Sequence, residues 1–353
     1  MGLVDMWGFE WGDDNEDAAL DEGIIVLEGT PVWENSNLPP GGSSQFCIRN
    51  VNNGWARCLL PLQGSSLSGT RFWLHFNWYL SSNNTANANQ YVSWNQAGVE
   101  IGRVSLVNNT NEVRVFINGV ATADSAWPLG IARWHRIHVF VDLQAGATGI
   151  IRVFTDGNLA VPLVEITATS TNPLVATLDG LGFGLSQSSH FLDDLILMDP
   201  DDGVGVTDPE EIAWITIPPK QPISDGNYTA WTAAGSPGGA SDYEYIDESP
   251  PVDTDYIRAT AASQASTFGF EAATSTSVLG AKWKGRFLRG DAVAGVNMNI
   301  RQRDVSATTD YDTPDIPVPG DGYIYRTFAE KPGGGLWTAA DFDDTEFGVV
   351  SKT

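Results

Sequence analysis

The strongest constraint on this chain is alternation. In the run Arg133 to Leu143, Ile137, Val139, Val141 and Leu143 fall on one side, while Arg136, His138 and Asp142 fall on the other. A period of two is the pattern of a strand with one face on a core, and it predicts that the polar set is surface. After a Gly-containing turn at 145–149, Ile150 to Thr155 repeats the texture and Asp156-Gly157 marks a hairpin. Phe191 to Asp199 closes the stretch. No helical period occurs along the 353 residues, and 37 Gly with 19 Pro point to short strands joined by turns. The expected class is all-β, and the length predicts two domains.

Charge narrows the partners. Nineteen Lys and Arg against 44 Asp and Glu leave a formal charge of −25. No Lys or Arg precedes Arg49, and no Lys precedes Lys220. Such a surface repels phosphate backbones, so nucleic-acid binding is not expected. The segment Met1 to Trp7 lacks the basic region and apolar run of a signal peptide. No stretch is long and apolar enough to span a bilayer, so a soluble protein made in a cytoplasm, without membrane insertion, is expected.

Thr70 to Leu80 is apolar at even and odd positions alike, which predicts a strand buried on both faces. Cys47 and Cys58 flank Val51-Asn52-Asn53-Gly54, which reads as a hairpin turn. They stand opposite each other if all four residues form the loop, and offset if Asn53-Gly54 alone is the turn. A cross-strand disulfide is awkward in either case, so two reduced core thiols are expected. The texture changes after Asp199. Residues 1–205 are read as the first domain, 206–225 as an acidic and Pro-rich connection with a strand at Ile212–Ile217, and 226–353 as a smaller β-sandwich or barrel. In the last part Tyr243–Ile246 reads as a strand. Lys282, Lys284 and Arg286 alternate with Trp283 and Phe287, as on a half-exposed strand. Thr338 is placed to cap a short terminal turn of helix.

The search for chemistry finds no catalytic residue and no cofactor motif. The best carboxylate spacing for glycoside hydrolysis is Asp242, Glu244, Asp247 and Glu248 around Tyr243 and Tyr245. Asp242 and Glu244 share a strand face, but Glu248 falls out of step and Ser249-Pro250-Pro251 ends the run, so a solvated edge strand is expected. His75, His135, His138 and His190 form no His-x-His or His-x-x-x-His pattern. Asp199, Asp201 and Asp202 crowd one turn behind Asp193-Asp194 and could supply part of a calcium ion's six to eight oxygen ligands. Asp is also the ordinary residue of turns, so the metal set stays open. Most of the 13 Trp residues are expected in cores, with Trp94 and Trp127 as loop-placed candidates for a sugar-binding face.

With the strands laid out, the first two hundred residues resemble a concanavalin A-like (laminin G-like) jelly roll. The resemblance is carried by Trp7-Gly8-Phe9-Glu10-Trp11-Gly12-Asp13, by Trp134-His135-Arg136-Ile137 with Ile151 to Gly157, and by Phe191-Leu192-Asp193-Asp194-Leu195. The C-terminal part is similar to tailed-bacteriophage virion proteins, through Asn227 to Thr232, Ile246-Asp247-Glu248-Ser249-Pro250-Pro251, Tyr256, Trp337 to Phe342 and Glu346 to Val349. These resemblances imply a non-enzymatic structural protein of a phage particle, a surface-exposed head decoration or short head or tail appendage. Its expected partners are other virion proteins, met in several symmetric copies at the virion surface. The alternatives are an adhesin that binds host-surface glycans and a polysaccharide-cleaving enzyme. Glucanases of the superfamily carry a Glu-x-Asp-x-x-Glu run that this sequence lacks, so hydrolysis is not expected.

Overall fold

The computed structural model describes residues 2–7, 25–28, 31–34, 47–50, 56–62, 67, 70–80, 90–96, 99–107, 109–144, 146, 148–156, 158–169, 171, 178–185, 190–200, 217–234, 241–247, 255–274, 278–289, 296–318 and 320–352. The chain divides into two compact units, Met1–Pro218 and Pro219–Thr353. The division falls inside the stretch read as a connection. Most of the strand read at Ile212–Ile217 lies outside the described residues, and Ile217 itself is not in a strand.

The first unit is a sandwich of two antiparallel sheets. Its first sheet runs β13 (Val164–Thr169), β12 (Gly149–Thr155), β11 (Arg133–Asp142), β6 (Arg71–Leu80), β15 (His190–Asp199), β4 (Cys47–Asn50) and β3 (Pro31–Glu34), with β1 (Gly2–Trp7) also on β15. Its second sheet runs β10 (Val120–Pro128), β9 (Glu112–Ile117), β8 (Val99–Leu106), β7 (Tyr91–Gln96), β14 (Leu178–Leu185), β5 (Ala56–Pro61) and β2 (Ile25–Glu28). One core fills the space between them. Phe72, Leu74, Phe76, Trp78 and Leu80 of β6 and Ile137, Val139 and Val141 of β11 meet Val92 and Trp94 of β7 and Leu181 and Phe183 of β14. Each such side chain contributes on the order of 1.5–3 kcal/mol by leaving water. The turn between β9 and β10 has Asn118 and Gly119 at φ 50° and 74°, the left-handed pair that Asn-Gly supplies in a tight hairpin.

Four local expectations are corrected by this arrangement. Cys47 and Cys58 do not share a hairpin: β4 pairs with β3 and β15, whereas β5 pairs with β14 and β2, so the link between them changes sheets. Both are buried and not joined to each other. His138 is not surface. It is fully buried on the outer side of β11, directly across from His75 of β6. Trp94 is not in a loop, since its ring lies in the core with Phe72 edge-on at 6.0 Å. Tyr243–Ile246 is not a strand: Asp242–Tyr245 is one turn of 3₁₀ helix with Ser241 at its N-cap. Ser241-x-x-Glu244 is a capping box, in which the Glu244 carboxylate accepts from the Ser241 N–H at 3.3 Å.

The second unit is built on β16 (Pro222–Thr229), β19 (Ala265–Phe270), β25 (Thr345–Ser351), β21 (Asn297–Asp304) and β22 (Thr309–Asp312), with β23 (Ile316–Pro317) on β21. Two ribbons stand apart from this sheet: β17 (Thr232–Ala234) pairs with β18 (Tyr256–Arg258), and β20 (Ala281–Leu288) pairs in continuous register with β24 (Asp321–Phe328). In the second, Trp283, Phe287, Ile324 and Phe328 lie with Met298, Ile300 and Val349 in the core. A helical turn, α1 (Ala339–Asp343), starts where Thr338 was expected to cap it: Thr338 Oγ1 accepts from the Asp341 N–H at 3.1 Å.

Candidate active site

The outer face of the second sheet carries the strongest grouping of polar side chains. Strand register sets them in transverse rows. One row reads Leu59, Gly182, Ser93, Arg103 and Phe116 across β5, β14, β7, β8 and β9. The next reads Arg57, Gly184, Tyr91, Ser105, Arg114 and, on β10, Asp124. At about 4.8 Å per strand the longer row spans about 24 Å, room for several sugar rings. Leu181, Phe183 and Leu185 of β14 turn into the core, and Gly180, Gly182 and Gly184 lie on this face with the short side chains of β7 leaning over them. A Cβ on Gly182 would sit 2.6 Å from Ser93 Oγ and 3.4 Å from Asn95 Nδ2.

Arg103 is the hub. Its guanidinium carbon lies 4.2 Å from the Phe116 ring centre and 5.1 Å from that of Tyr91, and its Nη1 is 3.3 Å from Glu100 Oε1. Residues three apart on a regular strand point to opposite faces. Here the register shifts between Trp94 and Asn95, so that Gly102 pairs with Trp94 and Glu100 with Asn95. Ile101 is the extra residue of a bulge, and Glu100 and Arg103 come to the same side. Arg103 Nε has no hydrogen-bond partner among the described residues and remains able to donate. Tyr91, Ser93 and Asn95 are only 5%, 2% and 3% exposed. Burial pushes the Tyr91 hydroxyl up to about 12 despite Arg57 and Arg103 nearby. Burial likewise raises the Glu100 carboxyl above its ordinary value, against the pull of Arg103 and Arg57.

This set suits a planar anion. A guanidinium binds carboxylate through paired N–H donors, and a neutral phenol and a desolvated carboxylate can move protons beside it. Of the other carboxylates on the longer row, Asp124 accepts from Arg114 Nη2 at 2.6 Å, and Glu28 of β2 is paired with Arg57 at its far end. Alternation alone does not bring Glu100 and Arg103 together. The signal that does is Gly102, a glycine inside a strand pattern, which marks a bulge or a close approach.

The residues singled out from the sequence lie elsewhere. The rings of His75 and His138 are 4.7 Å apart and in hydrogen-bonding contact through their Nδ1 atoms. Burial lowers both pKa values, that of His138 to about 3, with His138 and Arg136 adding to the effect on His75 and Arg136 to that on His138. His135 donates to the Gly130 carbonyl at 2.7 Å if protonated at Nε2, and His190 is buried at the start of β15. Asp194 has φ 48°, and both its carboxylate oxygens are engaged, by Asn77 Nδ2 at 2.9 Å and the Ile217 N–H at 2.8 Å. Burial raises it to about 7, with those two donors opposing. Asp193 and Asp199 are buried, and Asp201 and Asp202 lie outside the described residues. No cluster of three His, Cys, Asp or Glu able to hold a metal occurs among the described residues. Asp242 and Glu244 sit in the 3₁₀ turn, Asp247 lies just beyond it, and Glu248 is outside the described residues. Trp127, one residue before the end of β10, is 51% exposed.

No family model matches the chain, and no curated protein does. Solved structures similar to it include an endo-β-1,4-glucuronan lyase from the fungus Trichoderma reesei, with TM-score 0.38 and 11% identity over 56% of this chain and 95% of that one. A marine PL-14 alginate lyase from Aplysia kurodai gives TM-score 0.43 and 10% identity over 57% and 100%. A GH131 β-glucanase catalytic domain from Podospora anserina gives 0.33 and 14% over 56% and 86%. The expectation of a non-enzymatic phage-particle protein is corrected on this point. The structures just named are of enzymes that act on carbohydrate, nothing found points to a virion, and the bulge in β8 brings Glu100 and Arg103 to one side, an arrangement that a search for paired carboxylates passes over. Likeness at this level does not assign an activity, which is argued below from the side chains. What the first unit is, on its own geometry, is an all-β sandwich of jelly-roll type with rows of polar side chains across one outer face.

Proposed function

We propose that the first unit binds an acidic, uronate-containing polysaccharide on this face, over Arg103, and cleaves it by β-elimination. The observation that carries the reading is Arg103 set between Tyr91 and Glu100 on one face. Elimination removes the proton next to the sugar carboxylate, forms a carbon–carbon double bond from that electron pair, and expels the glycosidic oxygen, which takes up a proton. No water nucleophile and no second carboxylate are needed. Arg103 pairs with the substrate carboxylate and stabilises the charge that builds there. Glu100, made more basic by burial, accepts the proton. Tyr91, still a phenol up to about pH 12, donates to the leaving oxygen.

The test is a panel of soluble polyuronates, followed by the ultraviolet absorbance of the unsaturated product. Tyr91→Phe is expected to lower kcat by about 10²–10⁴ and Arg103→Ala to lower kcat/KM by about 10²–10³. Because Glu100 must be ionised to act, kcat/KM should fall as pH drops through a pKa above the usual carboxylate range, and Glu100→Gln should abolish the reaction. Arg103-dependent binding with no product from any polymer would make the face a receptor and end the enzymatic reading.

A further inference from the structure

Strand register fixes how the groups of the candidate site stand toward one another. Along β7 and β8 the cross-strand pairs are Tyr91 with Ser105, Ser93 with Arg103, and Asn95 with Glu100. Arg103 is the middle of a short file, with Tyr91 toward one end and Glu100 toward the other. Contacts draw the ends in: Glu100 Oε1 is 3.3 Å from Arg103 Nη1, and the Tyr91 ring centre is 5.1 Å from the guanidinium carbon. Burial is the first cause that holds the Tyr91 proton and the Glu100 charge adds to it, so phenol and carboxylate sense each other. Val92 and Trp94 of β7 and Ile101 and Val104 of β8 turn into the core. Tyr91, Glu100 and Arg103 therefore all rise from one side of one sheet.

That one-sidedness has a stereochemical consequence. A sugar ring whose carboxylate is paired with Arg103 turns one face to the strands, and among the described residues base and acid reach it from that face. Elimination takes the hydrogen from the carbon that bears the carboxylate (C5) and expels the oxygen on the next carbon (C4). Acting from one face, Glu100 and Tyr91 can complete it only where that hydrogen and that oxygen lie on the same side of the ring. We propose that the site is selective for 1,4-linked uronates of this kind, the manno- and gluco-configured units, in a syn elimination. The gulo- and galacto-configured units, whose C5 hydrogen and C4 oxygen lie on opposite faces, are passed over. The inference rests on the elimination reading above and adds the stereochemical class of its substrate. Glu100 takes the C5 proton, the released electron pair becomes the C4–C5 double bond, the C4–O bond breaks, and its oxygen takes the Tyr91 proton. The proton on Glu100 then returns to the Tyr91 phenolate on the same face, so no co-reactant is consumed.

The experiment uses the unsubstituted full chain and compares epimers. The units of polymannuronate and polyguluronate differ in configuration at C5 and give the same unsaturated residue, so one absorbance scale serves both. Polyglucuronate and polygalacturonate are the matching pair at C4. In whichever pair is cleaved, kcat/KM should favour polymannuronate over polyguluronate, or polyglucuronate over polygalacturonate, by about 10²-fold or more. The wrong configuration moves one of the two reacting atoms out of reach of its partner. Equal rates on the two members of a cleaved pair overturn the one-sided geometry and leave elimination standing, as does a preference for polyguluronate or polygalacturonate. No unsaturated product from any of the four polymers ends the elimination reading and this inference with it.

Discussion

His75 and His138 face each other across β6 and β11, and burial holds both neutral. Their folded pKa values lie below the ordinary 6.5, so the unfolded chain takes up the protons first as pH falls. The stability they contribute is complete above about pH 6.5 and is lost as pH drops toward the folded values, by up to about 1.4 kcal/mol per pH unit for each ring. Asp194 acts in the opposite sense. Raised from 3.8 to about 7, it stabilises the fold fully below about pH 4, an effect lost as pH rises through 7. Thermal melts from pH 7 down to pH 4 should therefore show a falling Tm. His138→Phe should flatten that fall and Asp194→Asn steepen it. A Tm independent of pH across this window in the Asp194→Asn protein, where the opposing carboxyl is gone, would contradict the sealed pair. None of this is legible in the sequence, where His75 and His138 lie far apart and His138 sits on the polar side of an alternating strand. Alternation says which face a residue takes, not whether that face is covered.

Among the elements, β8 shows what a single bulge decides. Gly102 stands opposite Trp94, and a Cβ there would fall inside the space of the indole ring. Gly102→Ala should cost about 1–3 kcal/mol by overpacking, seen as a lower denaturant midpoint at unchanged slope. It should also displace Arg103 from Tyr91, so activity at temperatures where the variant stays folded should drop as well. Full activity in a folded Gly102→Ala protein would separate the bulge from the site. The strands most legible in the sequence, β6, β11 and β12, are those whose facing residues must fill the core. Legibility ends where one sequence pattern serves two structures. Asp242-Tyr243-Glu244-Tyr245 alternates as a strand would, yet the capping box at Ser241 makes it a helical turn. Val51 to Gly54, outside the described residues, has the composition of a hairpin turn, yet β4 and β5 on either side belong to different sheets.

For the whole molecule, charge sets two responses of opposite sign. At −25 the folded chain repels itself, so raising salt from low to physiological strength should increase Tm, while the same salt should weaken polyuronate binding to Arg103. Salt that strengthens glycan binding would contradict the Arg103 site. The two-part build is visible in the sequence as a change of texture after Asp199, because turn and Pro residues punctuate it. The placement of function is not, because rows across a sheet join residues from strands far apart in the chain. One consequence remains in the two thiols. Cys58 lies in the core between the sheets, whereas Cys47 belongs to a small cluster with Trp134 and Phe191 on the outer side of the first sheet. Alkylation of Cys58 must wait for the sandwich to come apart, while Cys47 can react through a smaller local opening. The chain thus carries two built-in clocks, and the difference in their rates measures how loosely the outer covering of one sheet is held against the cohesion of the whole.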